Sequence, residues 1–88
     1  MPMTKHVSHP KIIQRLKRVD GHLRSVVTML EESRSCLDLA QQLHAVEKAV
    51  DNAKRELIHD HIEHCLDDGA GSDGKSSLRE LKQLTKYL

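Results

Sequence analysis

The sequence predicts an all-α protein, and three observations carry that prediction. One aromatic residue, Tyr87, is present among 88 residues, with no Phe or Trp, while Leu, Ala, Lys, Glu, Gln and Arg dominate. A β-sandwich or barrel of this size draws on aromatic and β-branched side chains that are missing here. Apolar residues recur at alternating spacings of three and four over two long stretches, the period of a helix face. Between residues 34 and 68 there is neither Gly nor Pro to interrupt the second stretch. The length allows one small domain, residues 1–88, and no second core.

Taken in order, residues 1–9 read as a mobile tail. Ser8 is a capping residue type and Pro10 suits a first turn, where its missing N–H costs nothing. Ile12, Leu16, Val19, Leu23, Val26 and Leu30 then mark a helix over 10–32. Gly21 inside it costs about 1 kcal/mol relative to Ala, which suggests a close approach of two backbones. Residues 31–35 are a polar break of ordinary loop length. Cys36, Leu39, Leu43, Val46, Val50, Ala53 and Leu57 repeat the spacing, and His61 and Cys65 continue it, giving one helix over 36–66. Residues 67–76 hold three of the four glycines and read as a linker. Ser77 with Glu80 fits a capping box, opening a short helix over 77–88 that would bury Leu78, Leu81, Leu84 or Thr85, and Leu88.

Two long helices and a short one cannot enclose a core, because each leaves much of its apolar stripe in water. At about 25 cal/mol per Å² of apolar surface, such exposure would consume most of a small domain's stability. Association is therefore expected, with two antiparallel hairpins forming a four-helix bundle.

The net charge of +1 conceals a division. Lys5, Lys11, Arg15, Lys17, Arg18 and Arg24 face only Asp20 within residues 1–30, a balance of +5; the remaining residues carry −4. A basic segment repeated on every subunit is the electrostatic requirement for holding phosphates. With Tyr87 the one aromatic residue, base stacking on single strands is a poor fit and duplex DNA is the expected partner. Arg15, Arg18 and His22 share one flank of the first helix. No leader and no transmembrane run is present, so a cytoplasmic protein is expected. In that reducing compartment the two cysteines are thiols, ligands or redox groups rather than a structural disulfide.

His61 and Cys65 are four residues apart and so project from one helix face, a spacing that suits a single ion. Cys36 lies 25 residues before His61, about 37 Å along a continuous helix at 1.5 Å per residue. Metal–ligand bonds of about 2.0–2.3 Å cannot span that gap within one chain. An antiparallel neighbour brings its Cys36 beside this chain's His61 and Cys65, so the spacing predicts two intersubunit Cys-His-Cys sites per dimer.

The stretch Arg15-Leu16-Lys17-Arg18-Val19-Asp20-Gly21-His22-Leu23, the Cys opening the second helix, Gln41-Gln42-Leu43-His44-Ala45-Val46 and His61-Ile62-Glu63-His64-Cys65 together resemble the CsoR/RcnR family of bacterial metal-sensing repressors. The resemblance runs without a gap over residues 10–66. It implies an all-helical dimer that pairs into a disc-shaped tetramer, binds operator DNA when metal-free and releases it on metal binding, derepressing an efflux gene. It implies no enzyme activity. Cys36, His61 and Cys65 match the Cys-His-Cys set of the copper(I) sensors, with Glu80 near the acid that supports it; Ser35 stands where those sensors often carry Tyr. A nickel-sensing branch adds an amino-terminal His, for which His6 and His9 are candidates, and His64 is a further one. Thiolates favour Cu(I), while added imidazole suits Ni(II) or Co(II). For DNA the resemblance points to Arg15 and Arg55, beside Lys11, Lys17 and Arg18 from the charge pattern, with Asn52 where some relatives are basic.

Other readings compete. A formaldehyde sensor of the same family would use Pro2 and lack the thiol at Cys65. A persulfide sensor would use both cysteines and lack His61. In a different class, a metal chaperone or storage bundle would bind metal and ignore DNA, with no need of a basic helix. Enzymatic function finds no nucleophile–base–acid set. His44 reads as a packed or hydrogen-bonded residue near the core, and His22, His59 and His64 as solvated faces.

Overall fold

A computed structural model describes residues 9–67 and 74–88, the side chains of 64–67 and 74–77 excepted. Those residues form α1 (His9–Glu31), α2 (Cys36–Asp67), α3 (Gly74–Leu84) and a closing 3₁₀ turn (Thr85–Tyr87), with no strand among them. α1 and α2 fold back on each other as an antiparallel hairpin, and α3 packs against α2. The molecule measures 56 × 25 × 14 Å. Its thinnest dimension is about one helix diameter, so the helices lie in a single layer.

That layer divides each apolar stripe into two rows with a seven-residue repeat. Ile12, Val19 and Val26 of α1 are buried against Leu39, Val46, Ala53 and Ile58 of α2. Leu16, Leu23 and Leu30, each four residues further along α1, remain 42–56% exposed, as do Leu43, Val50 and Leu57 on α2 at 41–47%. The periodicity therefore marks core for only half of its positions within the chain. One neighbouring helix covers one row, and among the described residues the other row stays 41–56% exposed, with only Leu57 of it lining a cavity beside α3.

The connection between α1 and α2 is stitched by backbone bonds. Ser33 N–H donates to Leu30 O at 3.1 Å and Arg34 N–H to Met29 O at 3.1 Å, the paired pattern of a Schellman ending. Ser33 occupies the left-handed position with φ 60°, where Gly is the usual occupant. Two residues on, Ser35 Oγ accepts from the Asp38 N–H at 3.1 Å and caps α2.

Several sequence expectations need correction. α1 begins at His9 and ends at Glu31, one residue earlier at each end than predicted, and α2 runs one residue further, to Asp67. α3 starts at Gly74, so Ser77 lies inside the helix and is no cap. Once residues 78–84 are helical, extending backward adds a hydrogen bond per residue without a new nucleus, and nothing in Lys75-Ser76 opposes it. Leu78 and Leu88 are exposed, while Leu81 and Leu84 are half-buried, because only one face of α3 touches α2. Gly21 approaches no other backbone, since a Cβ there would meet nothing within 4 Å. Residues 1–8 and 68–73, the bulk of the expected tail and linker, fall outside the described residues.

Left-handed backbone costs a residue with a Cβ roughly 1–2 kcal/mol, part of which Gly returns as unfolded-chain entropy. Ser33→Gly is accordingly expected to raise the thermal midpoint by a few degrees in scanning calorimetry; a lower midpoint would mean that the serine makes a compensating contact.

Candidate metal centre and nucleic-acid interface

The hairpin sends the start of α1 to the end of α2, and this brings His9 to His61. The two histidines line a cavity of about 210 Å³ with Leu57, Glu80 and Leu84. His61 is largely buried, and its Nε2 stands 3.6 Å from Glu80 Oε1. α3 therefore lays its acid and its Leu84 over the imidazole. The sequence placed His61 and Glu80 in one site, and the structure brings them together. Of the two amino-terminal candidates, His9 is at the cavity and His6 lies outside the described residues. Cys65 is helical, one turn beyond His61, as the i, i+4 spacing requires; its side chain, like that of His64, is outside the described set.

Cys36 is the first residue of α2 and is exposed. α2 is unbroken for 32 residues, so Cys36 and His61 stand about 37 Å apart on one rod. Among the described residues no three His, Cys, Asp or Glu side chains gather as a metal site. The donor chemistry of Cys36, His61 and Cys65 fits a soft ion, but one chain does not assemble it.

A second feature lies on the flank of the hairpin. Arg15, Arg18, Val19, His22, Ala49 and Asn52 line a cleft of about 470 Å³ between α1 and α2. The three α1 side chains that the sequence placed on one flank do share this cleft, and no acid lines it. Lys11, Lys17 and Arg55 are also exposed but stand outside its wall. Arg15 Nη1 pairs with Glu56 Oε1 at 2.9 Å across the two helices. Arg55 is tied to Asp51 at 2.9 Å, with Lys54 at 3.4 Å on the same carboxylate. The Arg55 hydrogen bond, aided by Lys54, holds the Asp51 carboxyl below its usual range.

His22 is not simply solvated: half-buried, its Nε2 donates to Gln42 Oε1 at 2.6 Å and links α1 to α2. His44 is the reverse, exposed and 3.8 Å from Glu47 rather than packed. His59 is exposed as expected. Sequence reasoning missed Glu56 and Gln42. The signal was the hairpin itself, since a turn at residues 32–35 sets Arg15 opposite Asn52 and within one turn of Glu56.

The His61–Glu80 contact is long at 3.6 Å and its carboxylate side chain is 63% exposed, so it contributes about 0–1 kcal/mol, whereas removing a half-buried leucine costs more. In the metal-free protein Glu80→Gln is expected to move the thermal midpoint less than Leu84→Ala, and the reverse order would make the His61–Glu80 contact the anchor of α3.

Comparison with known proteins bears on this arrangement. A family profile described as metal-sensitive transcriptional repressor matches residues 8–87. The copper-sensing transcriptional repressor CsoR of Bacillus subtilis (strain 168) is 38% identical over 77 residues, covering 86% of this chain and 76% of that protein. CsoR of Mycobacterium tuberculosis (strain ATCC 25618 / H37Rv) is 33% identical over 88 residues, covering 97% and 74% respectively. Among solved structures, the nickel-responsive transcriptional regulator InrS superposes with a TM-score of 0.81 at 32% identity, covering 99% of this chain and all of that one.

Proposed function

This chain belongs to the metal-sensitive transcriptional repressor family, a family of regulators and not of enzymes, and on that premise we propose that it binds operator DNA metal-free and releases it on binding Cu(I). Cys36 of one protomer, with His61 and Cys65 of its partner, holds the ion. The carrying observation is the unbroken α2, which keeps Cys36 about 37 Å from His61. An antiparallel second copy satisfies both this distance and the uncovered rows, by burying Leu16, Leu23, Leu30, Leu43, Val50 and Leu57 in a four-helix bundle. Two such dimers form the DNA-binding tetramer. Two thiolates and one imidazole are a soft donor set, which favours Cu(I). Repression acts on DNA, so the cytoplasm is the site of action; among the described residues no helix is long and apolar enough to cross a membrane.

Nickel(II) or cobalt(II) is the second reading, and the observation favouring it is His9 in the cavity beside His61. A fourth, nitrogen donor would move the site from copper toward nickel. His6 and His64 are the remaining candidates for that role.

The DNA face centres on Arg15 and Arg18 in their acid-free cleft, extended by Lys11, Lys17 and Arg55. These groups hold backbone phosphates, while duplex shape selects the sequence. Metal and DNA are linked through one α2, which carries Cys36, Asn52, Arg55 and His61 on a single rod. A coupling of about 1–3 kcal/mol lowers DNA affinity 5–150-fold.

Two tests follow from this reading. Cys36→Ala and Cys65→Ala proteins are each expected to lose the Cu(I)–thiolate absorption band. Mixing them after co-refolding restores about a quarter of the wild-type sites, because half the dimers carry one intact site of two. No recovery would place all ligands in one chain. In gel-shift titrations Cu(I) or Ni(II) releases the duplex, and failure of both removes metal-driven derepression.

For the DNA face, the double variant Arg15→Ala, Arg18→Ala is expected to lose duplex binding while keeping Cu(I) affinity. Equal loss of both would indicate misfolding.

A further inference from the structure

We infer that Glu56 is an internal competitor for the phosphate-binding arginine Arg15, a carboxylate that DNA must either displace or tolerate and that sets how tightly the repressor holds its operator. The inference rests on the proposed DNA face and goes beyond it, because it assigns a role to an acid that takes no part in binding either ligand.

The cleft between α1 and α2 is walled by two guanidinium groups, an imidazole and a side-chain amide, with Val19 and Ala49 between them. Those donors suit a tetrahedral oxyanion, and the absence of an acid among them leaves the cleft positive. Arg15 is nonetheless engaged: its Nη1 lies 2.9 Å from Glu56 Oε1, with the Glu56 side chain 26% and the Arg15 side chain 44% exposed. The guanidinium is open to an incoming phosphate, while the Glu56 Oε1 that meets it is itself buried. The pair also differs from the other arginine pairs. Arg24–Asp20 and Arg55–Asp51 each lie within one helix at i, i+4, and Arg34–Glu32 lies within the connection between α1 and α2, whereas Arg15–Glu56 reaches from α1 to α2.

A guanidinium has five N–H donors in one plane, so a carboxylate on one edge leaves others for a phosphate. Two anions on the same guanidinium repel, however, and the repulsion is greatest where water is excluded by the duplex. Phosphate binding at Arg15 must therefore either displace Glu56 or tolerate it, and both weaken the complex. His22, which lines the same cleft, is held in place by its bond from α1 to Gln42 of α2.

The test is fluorescence anisotropy with a mixed-sequence DNA duplex, because phosphate contacts are independent of sequence. Full-length metal-free Glu56→Gln protein is expected to bind about two- to fivefold tighter than wild type, the range of an exposed ion pair released. Its affinity should also fall more steeply with salt, since one more free cation meets the DNA. Glu56→Asp, whose shorter side chain does not reach Arg15, is expected to shift affinity the same way, which covers the case that the Gln variant folds poorly by circular dichroism. In an Arg15→Ala background the Glu56→Gln change is expected to have no effect. Unchanged or weaker binding by both Glu56 variants, or tighter binding that persists without Arg15, overturns the competition. Wild-type binding by Arg15→Ala alone would instead overturn Arg15 as a DNA contact, a failure of the proposed function that the duplex assay reads separately.

Discussion

A layer one helix thick is the constraint on which the rest of this molecule depends. Two amphipathic helices side by side cover one row of apolar residues each, and the hairpin chooses the row containing Ile12, Val19 and Val26 against Leu39, Val46, Ala53 and Ile58. The second row, offset by four residues, keeps the same seven-residue repeat and the same kind of side chain. Repetition at seven, kept in both rows except for the last step from Ala53 to Ile58, is the pattern of helices that pack along their length. Under the proposed function an antiparallel second copy would cover the second row, and stability and sensing would draw on the same surface.

Electrostatics follow from that geometry. With α1 basic and α2 carrying most of the acid, an antiparallel hairpin necessarily aligns cations with carboxylates. Arg15 finds Glu56 in this way, while Arg18 stays on an acid-free wall. Exposed pairs of this kind contribute little to folding, so their consequence is to set which cations remain available to a polyanion. The same logic explains why Arg24 and Arg55, each neutralised by an acid one turn away on its own helix, are weaker candidates for phosphate than Arg18.

Much of this was legible in the sequence because helix periodicity and helix rise are local rules. The 3/4 spacing located α1 and α2 to within one residue at each end, and 25 residues at 1.5 Å are too far for one chain to gather Cys36 and His61 on one ion. What was illegible depended on contacts between elements. The start of α3 was misplaced because a capping-box pattern at Ser77 looks the same whether or not the helix has already begun. Ser33 gave no sign of left-handed backbone, a position at which sequence usually signals with Gly. His22 and His44 were assigned opposite surroundings from those they have, because helical phase locates a residue to a flank but not to the neighbour it meets there. Glu56 escaped for the same reason, as its partner is fixed by interhelix register.

The way α2 is used suggests why so small a protein can couple two ligands at all. Its 32 residues present Cys36 at one end, Asn52 and Glu56 along the middle, and His61 near the other end. A helix of that length with no internal Gly or Pro transmits displacement as a rod, so no chain of side-chain contacts need be invoked between sensor and cleft. Glu56 lies between the cleft residue Asn52 and His61, and any shift or rotation of this segment relative to α1 alters the Arg15–Glu56 distance before it alters the buried row. Burial at Val26 and Ile58, each 2% exposed, resists sliding, whereas the Arg15 side chain, 44% exposed, has room to re-orient. The Arg15–Glu56 pair thus lies between α1 and α2 on the proposed DNA face, where a coupling of a few kcal/mol would act directly on an arginine.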